Sequence, residues 1–397
     1  MTDGQHHTGG RDLVLRGGHV IPVEGGAGEL PATDVRVAAG RIAAIGPGLD
    51  TTGSDVLDVR GQAVLPGFVD THRHIWQAPL RGVGADMSLR RYLSDILGGV
   101  APRVRPADLR LAAVLGAAEA LDAGVTTVFD WCNATLSPAH AEAALDGLAA
   151  AGIRAVFGHG NPDDPGDVGR LAPRTGLVTT ALSLVGPEYL PFDVAARHIA
   201  LARDLGLRAS MHVGGGTHGP AGRAVSRLHE ASLLGADLHF AHCATIGDDE
   251  VRMLVDSGAG VTVTPVVEAM MGHGTPAYGR FVAAGGAPAL GVDVVVATGP
   301  DMFAPMRAAL WQERARSNQA ALDAGRDPTD VRPAAADLLR AATADGAAAL
   351  GMADIGTIAV GRRADLVVLD GVGHLTGGAA AGAGSVAGAV VASLGPG

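Results

Sequence analysis

The sequence predicts an α/β fold: a parallel (β/α)8 TIM barrel with a small composite β-sandwich layer from the N- and C-terminal segments. From residue 63 onwards, short apolar segments alternate eight times with Ala- and Leu-rich helical stretches, which is typical of this barrel. Strand-like segments precede this alternation, and one follows it. Hydrophobic residues make up 47% of the chain and aromatic residues 3%, so Ala, Val, Leu and Ile must build the core.

The elements follow in order along the chain. Residues 1–62 contain strand-like segments separated by Gly-rich turns, and we assign them to the small layer. The barrel is expected over residues 63–350, and residues 351–397 are expected to complete the layer in shortened form. The barrel strands are predicted at 63–70, 125–131, 153–159, 177–186, 207–213, 238–243, 260–265 and 288–293. The helices between them are predicted at 107–122, 138–151, 192–205, 222–234, 247–257 and 302–323.

Charge and cysteine content exclude several classes of function. The net charge of −11 disfavours binding to nucleic acid or to an anionic membrane. No apolar run approaches a membrane span, and the first residues lack the pattern of a signal peptide. Cys132 and Cys243 are the two cysteines, which indicates a reduced, cytoplasmic protein. All 30 basic residues are Arg, which excludes Schiff-base chemistry and a lysine carbamate between two metals.

The segment VLPGFVDTHRH carries the first chemical signal. Alternate side chains of a strand face the same way, so His72 and His74 would both point inward while Arg73 points away. Two imidazoles on one face at the C-terminal end of a barrel strand form a natural site for a divalent metal. A pair of incidental surface histidines is the alternative.

Other predicted strands end in further metal-binding side chains. His212 ends the fifth strand, His242 the sixth and Asp293 the eighth. Because the strand ends of a closed barrel converge on one mouth, these groups and the histidine pair can meet in space. The sequence therefore predicts a metal centre.

The order HxH, His, His, Asp on strands one, five, six and eight resembles the amidohydrolase superfamily. Within it, the chain resembles the branch of cytosine, guanine and adenosylhomocysteine deaminases and chlorotriazine hydrolases. The similar motifs are PGFVDTHRH, LRG at 80–82, ALDAGVTTVFDW at 120–131, AHC at 241–243, LGVD at 290–293, DMF at 301–303 and GRRADLVVLD near the end.

This resemblance implies roles for the five residues. His72, His74, His212 and Asp293 would hold one divalent metal, Zn²⁺ or alternatively Fe²⁺. His242 would be either a further ligand or an acid–base group beside it. Asp293 would act as general base, and His242 would stabilise the developing negative charge.

The chain departs from the resemblance after the fifth strand. The deaminases carry a proton-shuttling Glu three residues after the strand-five His, whereas this chain has Gly215 there. Three residues are candidates for a replacement: Glu268 and His273 after strand seven, and His218 in the glycine loop. Each of them could instead be a solvated or structural side chain.

Further residues are expected near the mouth. Trp76 and Gln77 could line the pocket, Trp76 by stacking on a flat substrate. Asp301 and Met302 are expected to shape the site, although Asp301 could instead cap the following helix. Two further tip residues, Asp130 and His159, are equally compatible with a site role and a structural one.

The expected activity is hydrolysis of a C–N bond, or of a C–Cl bond, in a small heterocyclic substrate by metal-activated water. Because the shuttle Glu is absent, a lyase, isomerase or cyclase that uses the metal as a Lewis acid is the alternative. A noncatalytic binding protein is a third interpretation, which the retained Asp293 disfavours. The short C-terminal part means either that the layer is reduced or that another subunit covers its remaining edge, and a homo-oligomer, a dimer, is expected.

Overall fold

The structure is built on two sheets. The computed structural model describes residues 11–23, 28–370 and 386–395. Eight parallel strands form a barrel in chain order, which confirms the predicted fold class. The barrel strands are β6 Phe68–Arg73, β7 Val125–Cys132, β8 Arg154–His159, β9 Val178–Leu184, β10 Ala209–Val213, β11 Leu238–His242, β12 Gly260–Val263 and β13 Ala289–Leu290.

The barrel closes between its first and last strands. Arg73 and Asp293 form a parallel bridge across this seam. The amide of Asp293 donates to the carbonyl of His72 at 2.8 Å, and the amide of His74 donates to the carbonyl of Asp293 at 3.0 Å. Residues of the HxH motif and the last strand end are therefore held together by backbone hydrogen bonds.

The second sheet joins strands from the two ends of the described chain. Its path runs β14-β5-β1-β2-β3, and β4 pairs with β1. These strands are β1 Leu13–Val20, β2 Leu30–Ala38, β3 Arg41–Gly46, β4 Asp55–Asp58, β5 Ala63–Pro66 and β14 Leu366–Leu369. The guanidinium of Arg154, on β8, pairs with Asp365 at 2.8 Å and ties this sheet to the barrel.

The predicted strand 63–70 is in fact two strands in different sheets. Residues 63–66 pair with β14 and β1, whereas residues 68–73 begin the barrel. Gly67 makes the crossing possible, because a Cβ at this position would lie 2.0 Å from the hydroxyl oxygen of Thr126. The predicted last strand is also shorter than expected, since the backbone of Asp293 turns to a φ of 68°.

Helices surround the barrel and cover its mouth. They are α1 Leu89–Tyr92, α2 Pro106–Asp122, α3 Pro138–Ala151, α4 Pro165–Leu171, α5 Phe192–Asp204, α6 His218–Gly222, α7 Ala224–Glu230, α8 Asp248–Ser257, α9 Pro265–Met271, α10 Tyr278–Ala283, α11 Phe303–Asp323, α12 Ala335–Ala341, α13 Ala344–Ala349 and α14 Val386–Ser393. After β6 the chain forms a 3-10 helix at Ile75–Leu80, then α1, a π-helix at Leu93–Val100 and a 3-10 turn at Ala101–Arg103. Within the described ranges, none of the helices has the length and apolar composition needed to cross a membrane.

The C-terminal part of the predicted β layer needs correction. Among its described residues, Leu366–Leu369 forms a strand and the apolar segment at Val386–Ser393 forms a helix. Val390 and Val391 of this helix are fully buried in the main core. The guanidinium of Arg307, on α11, donates to the carbonyl of Leu394 at 2.7 Å and fixes the helix end. Residues 371–385 and 396–397 of the predicted layer lie outside the described residues.

Candidate metal centre

Five side chains from four strand ends converge at the barrel mouth. The Nε2 atoms of His72 and His212 lie 3.2 Å apart. Oδ1 of Asp293 lies 3.4 Å from Nε2 of His72 and 3.3 Å from Nε2 of His74. The ring of His242 lies 5.3 Å from that of His212. The structure therefore brings together all five residues that the sequence singled out.

Two of the five residues have unusual backbone conformations. His242 has a φ of 75° and Asp293 a φ of 68°. Residues other than Gly rarely adopt this left-handed backbone conformation, and each such residue lowers the stability of the fold by about 1–3 kcal/mol. Such strain concentrates at functional sites, because a strand end that turns sharply can direct its side chain toward the barrel axis.

A buried ion pair lies beneath the centre. Asp70 accepts from Nε of Arg73 at 2.7 Å, and both side chains are almost fully buried. Asp70 also accepts from the backbone amides of His72 at 3.3 Å and Val292 at 3.1 Å. The guanidinium of Arg73 donates further to the carbonyl of Pro300. Arg73 thus anchors the barrel seam and does not reach into the mouth.

The hydrogen-bonding pattern of His74 shows that the donor set fits a cation. Its Nδ1 lies 2.7 Å from the carbonyl oxygen of Trp131. A carbonyl only accepts, so Nδ1 carries the hydrogen and Nε2 keeps its lone pair. This lone pair faces a carboxylate oxygen of Asp293, which is also an acceptor. With a neutral imidazole these are two acceptors 3.3 Å apart, and a cation bound between them would satisfy both.

The other groups strengthen this fit. Burial lowers the pKa of His72 to about 4, so its imidazole is neutral and can offer a lone pair. Burial alone would raise the pKa of Asp293, but the adjacent imidazoles of His72 and His74 and the charge of His242 hold it well below its usual range. Ligand atoms in three overlapping trios lie within 4.8 Å of one another: His72, His212 and His242; His72, His74 and Asp293; His242, His273 and Asp293. Imidazoles with one carboxylate suit Zn²⁺ or Fe²⁺.

Glu268 is buried beside His242 and not solvated in a loop. It lies in α9, and its Oε1 accepts from the backbone amide of Thr264 at 2.7 Å. Nδ1 of His242 lies 3.4 Å from the same oxygen and 3.0 Å from the hydroxyl of Thr264. Burial would lower the pKa of His242, but the hydrogen bond that it donates to Glu268 and the charge of nearby carboxylates raise it above its usual value. Burial likewise raises the pKa of Glu268.

His273 faces the centre from the turn that follows α9. Its ring lies 4.6 Å from that of His242, and its side chain is almost fully buried. Burial lowers its pKa to about 3, so the imidazole is neutral. A Cβ built on Gly215 would meet Cδ2 of His273 and the hydroxyl oxygen of Tyr189, both at 3.6 Å. Position 215 lines the pocket, and His273 and Tyr189 are the acid–base side chains in contact with it.

A cavity of about 230 Å³ lies over the cluster and is lined by four of its five residues, all except His72. Its lining residues are His74, Leu89, Tyr92, Leu93, Leu97, Trp131, Asn133, Val185, Tyr189, His212, Gly215, His242, Met271, His273, Asp293 and Val294. A larger depression of about 590 Å³ is lined by none of the five clustered residues. The smaller cavity is therefore the candidate active site.

Trp76 and Gln77 do not line this cavity. The chain enters a 3-10 helix at Ile75, which buries both side chains behind the wall. The indole N–H of Trp76 donates to Oδ1 of Asn133 at 3.1 Å, and the amide of Gln77 lies 2.6 Å from the hydroxyl of Tyr92. Asn133 and Tyr92 line the cavity, so the two predicted residues support the pocket indirectly.

Three further predicted residues lie away from the cavity wall. His218 is exposed in α6, with its ring 5.2 Å from that of Tyr189. Asp301 accepts from the backbone amide of Ala304 at 3.0 Å, in the first turn of α11, as the capping alternative proposed. Met302 is fully buried in the hydrophobic core.

The two remaining tip residues make structural contacts. Asp130 accepts from the backbone amide of Ile75 at 3.1 Å, and burial raises its pKa to about 7. Nε2 of His159 lies 2.9 Å from Asp167, which also pairs with Arg170. His159 is thereby tied to α4 and does not join the cluster.

Several cavity residues escaped the sequence interpretation. Trp131 ends β7, and its ring lies 4.5 Å from that of His212. Its place at a predicted strand end was the signal that could have identified it. Tyr92 and Leu97 carry no such signal, because the irregular helix that holds them has no period that points to the mouth.

An eight-stranded parallel barrel with imidazoles and a carboxylate gathered at its C-terminal end defines the class of metal-dependent barrel hydrolases. The sequence pattern of the amidohydrolase family matches residues 63–392. The chain belongs to this family.

Comparisons with individual proteins agree. The chain is 28% identical to a 5-methylthioadenosine/S-adenosylhomocysteine deaminase of Symbiobacterium thermophilum, over 90% of this chain and 85% of the relative. It is 30% identical to the protein of the same name from Halobacterium salinarum, over 85% and 80%. A zinc-bound adenosine deaminase structure from Xanthomonas campestris matches with a TM-score of 0.82 and 25% identity, over 97% and 90%. The chain is thus an enzyme that hydrolyses carbon–nitrogen bonds other than peptide bonds.

Proposed function

We propose that this enzyme hydrolyses an exocyclic C–N bond of a small heterocyclic substrate with the help of one divalent metal. His72, His74, His212 and Asp293 would hold the metal, and His242 would complete the centre. The observation that carries the proposal is the approach of two acceptors, Nε2 of His74 and Oδ1 of Asp293, to 3.3 Å inside a ring of imidazoles. The deaminase names of the relatives support the choice of bond.

A bound Zn²⁺ or Fe²⁺ supplies a water acidified toward neutral pH and polarises the electrophilic carbon. Asp293 accepts a proton from the attacking water, because its depressed pKa keeps it ionised. The water oxygen adds to the ring carbon, the C–N bond breaks, and the leaving nitrogen departs with the transferred protons as ammonia or an amine.

His242 stabilises negative charge that develops on the substrate. Its Nδ1–H is directed at Glu268 and Thr264, so its other nitrogen faces the mouth. The raised pKa of His242 favours the positively charged form that such stabilisation requires. Glu268 acts through His242 as a positioning residue.

In this enzyme the proton must reach the leaving nitrogen by a different path from the one that a Glu at position 215 would provide. Gly215 offers no acid–base group at a place where the cavity is open. Asp293 and the neutral imidazole of His273 both line the cavity and are the groups that can carry the proton across. The absence of a carboxylate at 215 is also the feature that favours the alternative activity, a lyase or cyclase.

The test combines metal content with turnover. Wild type and the exposed-site control His218→Ala should each retain about one equivalent of zinc or iron, and His212→Ala should lose it. Asp293→Asn should lower ammonia release from aminopurines, aminopyrimidines or aminotriazines by about 10²–10⁴-fold. Reaction in ¹⁸O-labelled water should place the label in the product. A metal-loaded enzyme whose product carries no label would support the lyase or cyclase instead.

A further inference from the structure

Breaking an exocyclic C–N bond requires a group that gives a proton to the leaving nitrogen. Among the described residues that line the cavity, three outside the metal centre carry acid–base groups: Tyr92, Tyr189 and His273. The amide of Gln77 lies 2.6 Å from the hydroxyl of Tyr92 and ties that hydroxyl to the buried wall. Tyr189 and His273 are therefore the candidates.

Tyr189 and His273 face the same point of the cavity with different atoms. A Cβ built on Gly215 would lie 3.6 Å from the hydroxyl oxygen of Tyr189 and 3.6 Å from Cδ2 of His273. Cδ2 is a carbon without an exchangeable proton, whereas a hydroxyl both donates and accepts hydrogen bonds. The hydroxyl of Tyr189 makes no hydrogen bond with another described residue, so both capacities are available to a substrate.

The backbone does not require glycine at position 215. Gly214 and Gly216 have φ values of 69° and 59°, but Gly215 is not among the residues with positive φ. The nearest atoms would lie 3.6–3.7 Å from a Cβ at this position, which is ordinary van der Waals contact. A longer side chain here would compete with the hydroxyl of Tyr189 for the same space. The glycine thus leaves that space to the tyrosine.

The turn that carries Tyr189 is tied to the glycine loop. Oε1 of Glu188 accepts from the backbone amide of Gly214 at 2.7 Å. The ring of Tyr189 lies 5.2 Å from that of His218, in the helix that follows the loop. These contacts join the turn after β9 to the loop after β10. The hydroxyl of Tyr189 is therefore held beside position 215 by a neighbouring strand end.

The hydroxyl of Tyr189 keeps its proton at neutral pH. Partial burial and the carboxylate of Glu188 raise the pKa of Tyr189 to about 12. Such a hydroxyl can donate its proton while its oxygen accepts another one. It suits a step in which one proton arrives as another leaves.

We propose that Tyr189 is a catalytic residue that passes a proton to the leaving nitrogen at the place that Gly215 leaves open. This role rests on the proposed function, because it assumes hydrolysis of a C–N bond over the metal centre. As the C–N bond breaks, its electron pair stays on nitrogen and takes the hydroxyl proton of Tyr189. The phenol oxygen receives the proton that Asp293 removed from the attacking water, so the tyrosine is restored.

The test compares a leaving group that needs a proton with one that does not. Zinc-loaded wild type and Tyr189→Phe are assayed with adenine and 6-chloropurine, with cytosine and 4-chloropyrimidin-2-one, and with melamine and its monochloro analogue. Tyr189→Phe should lower ammonia release by about 10²-fold or more, because the nitrogen leaves only after it gains a proton. Chloride leaves as an anion, so its release should fall by less than about threefold.

Two further variants locate the effect. Tyr278→Phe is the matched control, because Tyr278 is almost fully buried in α10 and does not line the cavity. It should release ammonia and chloride at wild-type rates. Adding Gly215→Glu to Tyr189→Phe puts a carboxylic acid at the same point and should raise ammonia release by at least about tenfold. Metal content is measured on every sample.

The outcomes separate this role from the proposed function. Equal losses of ammonia and chloride release in Tyr189→Phe, or no loss of either, would overturn the role of Tyr189 while the proposed hydrolysis stands. Absence of rescue by Gly215→Glu would overturn the placement of the proton donor at position 215. Wild type that releases neither product from any pair would contradict the proposed hydrolysis itself, and the role of Tyr189 with it.

Discussion

Glu268 makes three contacts with one carboxylate oxygen, and each of them stabilises the surroundings of His242. The backbone amide and hydroxyl of Thr264 donate to Oε1 at 2.7 and 3.2 Å, and Nδ1 of His242 lies 3.4 Å away. A carboxylate in this position fixes both the ring orientation and the tautomer of a histidine at a metal centre.

Glu268→Gln should therefore lower kcat by about 10–100-fold with a smaller change in KM. The amide keeps the size of the side chain and can still accept from Nδ1 of His242, but it removes the negative charge that raises the pKa of His242. Steady-state kinetics, with metal content measured on the same samples, checks this prediction.

The control is Glu313→Gln. Glu313 is also a buried carboxylate that accepts from a backbone amide, that of Gly279 at 3.0 Å, but it lies on α11 away from the cluster. A general effect of removing a buried charge would appear in both variants. Unchanged kcat in Glu268→Gln would mean that Glu268 only caps α9.

His239 is a buried histidine that the proposed chemistry does not use. It lies in the barrel interior between the hydroxyls of Ser210 and Thr262, at 2.8 and 2.6 Å, and burial lowers its pKa well below the usual value. In the unfolded chain the residue gains a proton as the pH falls through about 6.5, whereas the folded protein stays unprotonated. The contribution of His239 to the free energy of unfolding is therefore complete above this pH and is lost progressively as the pH falls below it.

Below about pH 6.5, the free energy of unfolding should fall less steeply with decreasing pH in His239→Gln than in wild type. The difference in slope should be up to about 1.4 kcal/mol for each pH unit. Urea unfolding of metal-free wild type and variant between about pH 7.5 and about pH 5.5 measures the two slopes. Metal-free protein is used because ligand protonation would otherwise add its own pH dependence. Parallel slopes would contradict the prediction.

At this scale the sequence predicts which five side chains meet at the barrel mouth. His72, His74, His212, His242 and Asp293 each end a strand with a strong apolar pattern, and barrel geometry alone brings such ends together. Trp76 and Gln77 were expected at the pocket wall but lie behind it. The 3-10 helix after β6 turns both side chains away from the pocket. No periodicity in the sequence predicts that helix.

At the level of elements, α14 lies within the segment 351–397 that the sequence analysis assigned to the small β layer. The segment SVAGAVVASL contains β-branched residues, yet its valines recur at helical spacing and become buried against α12 and α11. Packing overrides the strand preference of Val here, because β-propensity mostly reflects the surface against which a residue packs.

Val390→Ala should lower the free energy of unfolding by about 1–3 kcal/mol, since Val390 is fully buried and two methyl groups leave a void. Val360→Ala is the matched control, because that side chain is 65% exposed and should change stability little. Denaturant unfolding of both variants gives the comparison. Equal effects would mean that α14 is not packed as described.

The barrel elements were predicted closely because the chain repeats one pattern. Residues 125–132 and 154–159 are nearly or fully buried throughout, as strands covered on both faces must be. The crossing at Gly67 was missed, because AVLPGFVD reads as one uninterrupted apolar run. The close approach to Thr126, a contact distant in sequence, decides where that run divides.

For the whole molecule, the proposed ligands come from β6, β10, β11 and the turn after β13. A metal that binds them should stabilise the entire barrel, because the unfolded chain has no preformed site. At about 100 times the dissociation constant the gain is about 2.7 kcal/mol. Thermal unfolding with zinc and with a chelator should therefore differ by several degrees. His212→Ala should abolish this difference and His218→Ala should keep it; a chelator that leaves wild-type melting unchanged would contradict the proposed centre.

The seam of the barrel has a consequence for how the protein is made. The hydroxyl of Thr71 donates to the carbonyl of Leu290, 219 positions further along the chain, at 3.0 Å. During synthesis, the edge of β6 that faces the last barrel strand therefore stays unpaired until most of the chain has emerged from the ribosome. The edge of β5 that pairs with β14 stays unpaired for longer. Unpaired strand edges invite association between chains. Newly made chains are consequently most prone to aggregate just before the last barrel strand arrives, and the catalytic centre is among the last parts of the molecule to exist.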